Sequence, residues 1–395
     1  MAIPVFKVVS VLTQVTRRQT DAWLKSIEEQ LGEPLCEVSI EEYEKLPFGL
    51  VFVASGGSEG IFLSQYDKFA DRPCYLLTSG ESNSLAASME ILAYLQSHGR
   101  KGEILHGSAP DVARRIRALE RATQAKAKLN GMRMGCIGKP SDWLIASSAD
   151  DAGYRAKLNL SVVPIAMEEV FAEYEKHSYE QNQWTELLEK QGYDAAELEK
   201  ALWVYGALQR IVAKYGLSGV TVRCFDLLEP IKTTGCLGLA ILNAQGIFGG
   251  CEGDVPSLIS MAILGTVSGQ PVFMCNPSRI DTAKGEMVLA HCTLPVNMPE
   301  SMRLTTHYES GIGVAIAGHI PEQECTIFKT SAKLDRYFAK RGEIIENLSE
   351  AVLCRTQIKL RLDDYSYFLK GPIQNHHLLC LGDHVAAIDA LYEMI

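Results

Sequence analysis

The stretch Gly249-Gly250-Cys251-Glu252-Gly253-Asp254-Val255 puts a carboxylate at a glycine-rich junction between an apolar strand and a helix. Two later segments, Ala290-His291-Cys292 and Asn375-His376-His377, offer imidazoles. Hard oxygen donors mixed with histidine suit Mn²⁺, or alternatively Mg²⁺ or Co²⁺, better than a sulfur-rich site would. If the three segments converge, the chemistry is metal-assisted. If they do not, each has an ordinary explanation. Glu252 could be a turn residue, although Asp254 lies nearer the helix and has the short side chain an N-cap prefers, so capping does not account for Glu252. His291 closes the apolar run Met287-Val288-Leu289-Ala290 and could be a hydrogen-bonded core residue. His376 and His377 are neighbours on a strand and must face opposite sides, so only one can enter a given site.

Other polar residues sit where a polar substrate could be bound. His307, in Thr305-Thr306-His307-Tyr308-Glu309-Ser310-Gly311, either contacts substrate or closes a turn. Arg355 and Gln357 interrupt a β-rich run, and both are costly to bury unpaired, so they reach solvent or serve a polar site. The glycine-rich loop Ser55–Gly60 fits neither dinucleotide nor P-loop spacing.

These groups need a scaffold, and 395 residues exceed one ordinary core, so two or three domains are expected. Apolar residues make up 47% and charged residues 22%, which is globular usage. A net charge of −10 disfavours nucleic acid and anionic membrane as partners. No apolar run approaches the roughly 20 residues a membrane helix needs, and no secretory signal follows Met1, so a cytoplasmic location is expected. The eleven cysteines are scattered without a C-x-x-C pair, which favours reduced, buried thiols.

Short apolar strands alternate with helical stretches through residues 1–130 and again through 131–270, the pattern of two parallel-sheet α/β domains. In the second, Leu237–Leu242 reads as a strand, Ile247–Cys251 as the strand ahead of Glu252, and 256–267 as the following helix. From residue 271 to 395 turn-punctuated β segments dominate, pointing to an antiparallel domain, sandwich or barrel.

The order Cys224-Phe225, Gly246-Ile247, Cys251-Glu252-Gly253-Asp254, Ser268-Gly269-Gln270-Pro271, Ala290-His291-Cys292 and Asn375-His376-His377 resembles the L-fucose isomerase and L-arabinose isomerase superfamily. Ser55-Gly56-Gly57-Ser58-Glu59, Asn83-Ser84-Leu85-Ala86-Ala87 and Pro140-Ser141-Asp142-Trp143 extend the similarity over most of the chain. The resemblance implies two Rossmann-like domains, a β-rich C-terminal domain, and trimeric or hexameric homo-oligomers. It also implies Mn²⁺-dependent interconversion of an aldose and a ketose through an enediol. By the same resemblance Glu252 is a metal ligand and acid or base, His376 is favoured over His377 as the C-terminal ligand, and His291 lies near the metal. Asn276 stands where the family has a second acid. An asparagine carbonyl can ligate a metal but brings no charge and cannot act as a base. His307, Arg355, Gln357 and His377 are the candidate sugar contacts. Asn276 keeps two alternatives open: a sugar-binding or regulatory homologue without catalysis, and a sugar epimerase.

Overall fold

A computed structural model describes residues 2–69 and 72–395. They form two compact units, one containing the chain up to Gln124 with Asp389–Ile395, the other Ala125–Ile388. In the first, strands β1 (Ile3–Val8), β2 (Leu35–Glu37), β3 (Leu50–Val53), β4 (Cys74–Leu77) and β5 (Gly102–Leu105) make a parallel sheet in the order β2-β1-β3-β4-β5. Every residue of β3 and β4 is buried, as expected where helices cover both faces of a parallel sheet.

The second unit begins with another parallel sheet, of β6 (Arg133–Ile137), β7 (Ser161–Ile165), β8 (Gly219–Val222) and β9 (Phe248–Cys251), ordered β7-β6-β8-β9. Its sequence then turns antiparallel. Strands β10 (Phe273–Asp281), β11 (Glu286–His291), β14 (Glu324–Thr330), β15 (Tyr337–Asn347), β16 (Thr356–Arg361) and β17 (His377–Leu381) close a barrel in the order β10-β11-β16-β15-β14-β17. Closure removes the unpaired strand edges that an open sheet of this kind would present. Strands β12 (Ser301–Thr305) and β13 (Ala315–His319) pair separately. The fold is therefore mixed α/β, with parallel-sheet α/β regions followed by an antiparallel, barrel-containing β region. Among the described residues no helix is long and apolar enough to cross a membrane.

The segment Leu237–Leu242 is not a strand but lies inside the helix Cys236–Ala244. Residues 236–242 are all buried, so the helix is apolar all round and carries no 3.6-residue period to distinguish it from a short core strand. Gly238 permits the packing, because a Cβ there would stand 3.2 Å from the backbone of Tyr205 on the helix Ala195–Tyr215.

Candidate metal centre

Strand β9 delivers its chain into a tight turn. Glu252 has φ +62° and Gly253 φ +68°, two successive left-handed residues, of which the first carries a side chain. A non-glycine residue in that region is strained, and such strain is concentrated where function requires it. The turn is locked by Gly253 N–H donating to Val222 O at 2.9 Å and by Ser141 N–H donating to Glu252 O at 2.9 Å. A Cβ at Gly253 would lie 2.3 Å from Lys139 O, so nothing but glycine fits. Gly253→Ala should cost about 1–3 kcal/mol of stability, read from urea unfolding. An unchanged midpoint would show that the 138–143 loop yields freely.

Asp254 follows and caps the helix Val255–Ser268, its Oδ1 accepting from Ser257 N–H at 3.0 Å. That cap has a second duty. Its other oxygen accepts from Ser257 Oγ at 2.6 Å and stands 2.8 Å from His376 Nδ1. Behind it Lys329, wholly buried on β14, donates to Ser257 Oγ at 2.6 Å. The ionised Asp254 holds the His376 proton on Nδ1, which leaves Nε2 to face the site. His376 Nε2 is buried without a hydrogen-bond partner. It lies 3.7 Å from Glu252 Oε1, an ion-pair separation too long for a hydrogen bond.

His291, the last residue of β11, completes the group. Its Nδ1 is 2.9 Å from Thr293 Oγ1, and its ring meets that of His376 at 5.6 Å between centroids. One donor atom each from Glu252, His291 and His376 lies within 4.8 Å of the others. A carboxylate oxygen and two imidazole nitrogens, one of them the unpartnered buried Nε2 of His376, are a donor set that fits a divalent transition metal.

The electrostatics agree with that fit. Burial pushes the Glu252 carboxyl up, but His376 and Trp143 outweigh it and hold it below the usual range. Burial likewise opposes ionisation of Asp254, and Lys329 and His376 overcome it. His376 is penalised by burial yet raised to about 9 by Asp254 and Glu252, so a cation at Nε2 must displace a proton. His291 is pushed down to about 3, mainly by burial, and remains a neutral donor.

The remaining sequence candidates are placed as follows. His377 faces away from the triad, its Nε2 3.1 Å from Tyr367 OH and its ring against Phe368. Gln357 spends its amide on the backbone of Glu350 and Cys354. Asn276 pairs with Ala290 in the β10–β11 register, next to His291, and its Oδ1 is 3.5 Å from Asn375 Nδ2. His307 accepts from Ser310 N–H at Nδ1, so its neutral ring carries the proton on Nε2 as a donor. Burial, then Arg355, lowers its pKa and keeps it neutral.

Two groups at this centre were not singled out by residue type. Trp143 is 53% exposed, yet its Nε1 donates to Glu252 Oε2 at 2.6 Å, and it stands edge-on to Phe225 at 4.9 Å. Phe225 in turn meets His307 at 5.8 Å. The available signal was a tryptophan in the loop following β6, the edge of a parallel sheet where ligands bind. Lys329 was signalled only by its charge inside the apolar run Cys325-Thr326-Ile327-Phe328.

No family model matches the chain. It is similar to a curated sulfoquinovose isomerase from Clostridium sp. (strain MSTE9), 24% identical over 239 residues, which are 58% of this chain and 54% of that protein. The chain thus spans about half the length of that relative, and the similarity supports a relation to a sugar isomerase.

Proposed function

We propose that this chain is a divalent-metal-dependent aldose–ketose isomerase of the L-fucose isomerase-like kind, with Mn²⁺ as the ion and a cytoplasmic homo-oligomer as its form. The observation that carries the reading is the convergence of Glu252, His291 and His376 on one point. The similarity to a sulfoquinovose isomerase supports a sugar as substrate and makes sulfoquinovose the first candidate.

A bound metal would polarise the sugar carbonyl and favour the negative charge that develops on its oxygen. The chain's own residues supply the rest. Glu252, ionised and aimed by the Trp143 indole N–H, can hold or move the proton exchanged between neighbouring sugar carbons through an enediol. His307 presents an Nε2 donor to a hydroxyl, and Trp143 offers a half-exposed ring face to the sugar. His291 and His376 stay fixed by Thr293 and Asp254.

The test is a metal inventory of the purified protein together with an isomerisation assay in deuterated water. Stoichiometric Mn²⁺, turnover abolished by chelation and restored by Mn²⁺, and deuterium at the carbon next to the carbonyl are the expected results. Turnover that survives chelation sinks the reading. Asn276 beside His291 favours one second reading, a sugar-binding homologue without turnover, which binding without label exchange would establish. Label at another carbon would indicate an epimerase.

A further inference from the structure

Strand β9 ends on Cys251, the residue before Glu252, and the chain leaving β8 bends at once into a short helical segment, Cys224–Leu227. Parallel pairing sets Val222 beside Cys251, and Gly253 N–H donates to Val222 O at 2.9 Å, so the two chain segments leave their strands side by side. The sulfurs of Cys224 and Cys251 stand 3.0 Å apart. Both are free thiols. A disulfide bond is about 2.05 Å long, so closing this pair takes about 1 Å of movement.

The pair is buried but not sealed. Cys224 is 7% exposed and Cys251 4%, whereas Cys275, Cys325 and Cys380 on the barrel strands are at 0%. Of these thiols, only the first two offer a water-sized oxidant a way in. Each is also one residue from the candidate centre. Cys251 precedes Glu252, whose left-handed φ of +62° leaves its backbone little freedom to absorb a pull. Cys224 precedes Phe225, whose ring meets Trp143 at 4.9 Å and His307 at 5.8 Å. Trp143 is the donor that aims Glu252. A bond between the sulfurs would therefore draw on both supports of one carboxylate.

We propose that Cys224 and Cys251 are an oxidation site: a small peroxide converts the pair to a disulfide, and the crosslink misplaces Glu252 and loosens the metal centre. The second half rests on the metal-dependent reading; the first does not. The Cys224 sulfur attacks one peroxide oxygen, the O–O bond breaks, and a sulfenic acid and one water form. The Cys251 sulfur then displaces the hydroxyl as a second water, and the S–S bond closes. The two thiols lose two electrons, the peroxide gains them, and both thiol protons leave in water. Disulfides that form in reducing compartments are usually transient and catalytic or redox-sensing, and a pair that reports on a metal centre is of the sensing kind.

The test treats the chain with hydrogen peroxide, removes the excess with catalase, and titrates Mn²⁺ by calorimetry before and after. Peptide mapping by mass spectrometry, with the remaining thiols alkylated, should find Cys224 joined to Cys251. Mn²⁺ affinity should fall roughly 10-fold or more, the scale seen when the support of a metal ligand is lost. Dithiothreitol should restore it, which over-oxidation to a sulfinic acid would not allow. Cys224→Ala and Cys251→Ala, each compared with itself before treatment, should keep their affinity, and either variant that folds decides the point. No Cys224–Cys251 crosslink, or a crosslink that leaves Mn²⁺ affinity unchanged, overturns the proposal. So does a loss that persists in these variants and disappears in Cys354→Ala, because Cys354 packs against Cys292, the residue after His291, as the rival thiol pair. A chain that binds no Mn²⁺ when reduced rejects the metal reading, and a peroxide-formed crosslink in that chain keeps the oxidation site.

Discussion

Replacing Glu252 by glutamine should abolish sugar turnover and Mn²⁺ binding while leaving the fold intact. The substitution keeps the side-chain volume and can still accept from Trp143 Nε1, so the bond that holds this side chain survives. What disappears is the charge facing His376 Nε2 at 3.7 Å and the group that can exchange a proton. Loss of a positioned acid or base alone is worth roughly 10²–10⁴-fold in rate, and a lost anionic ligand adds to that. Circular dichroism should match wild type, and so should the urea midpoint when both proteins are compared free of metal. Retained turnover with bound metal would remove Glu252 from the mechanism. A collapsed fold would instead make it a structural residue of the turn.

Lys329→Met should be the most destabilising substitution in this part of the molecule. Its ammonium is wholly buried and bound to Ser257 Oγ, which itself donates to Asp254. Burial pulls the Lys329 pKa down to about 8, with Asp254 acting against it, so the cation is retained near neutral pH. Methionine fills the space but leaves His376 as the charged partner of Asp254 among the described residues. Removing one of two opposite buried charges that act on each other across Ser257 typically costs about 3–5 kcal/mol, which a urea midpoint resolves easily. Asp254→Asn combined with Lys329→Met should cost clearly less than the sum of the two single changes, because no lone charge is left behind. Additive losses would show that the two groups do not sense each other.

The fold was legible where local pattern and burial agree. The helix Ala195–Tyr215, and the strand before and helix after Glu252, stand where their apolar pattern and turn residues put them. The helix Cys236–Ala244 was not legible as a helix, because complete burial erases the polar face that marks helical period. Strand β15, eleven residues long, escaped notice for the opposite reason: its outward positions are Lys340, Arg341, Glu343 and Glu346, so its apolar content is diluted. At the centre, the opposite facing of His376 and His377 follows from strand alternation alone. The Trp143 bond to Glu252 and the Lys329–Ser257–Asp254 chain could not be read, since each joins residues 70 or more positions apart. Spacing along the chain carries no information about such partners.

Glu252 leaves the end of the parallel sheet, whereas His291 and His376 stand on or beside barrel strands. An ion gripped by all three would act as a rivet between two sheet systems of one compact unit, adding about 2.7 kcal/mol to its cohesion at a hundredfold excess over Kd. Stripping reagents used in purification would then behave as mild denaturants. A preparation inert after such treatment would report a sprung seam rather than an incapable enzyme, and reloading before folding is judged becomes part of any fair assay.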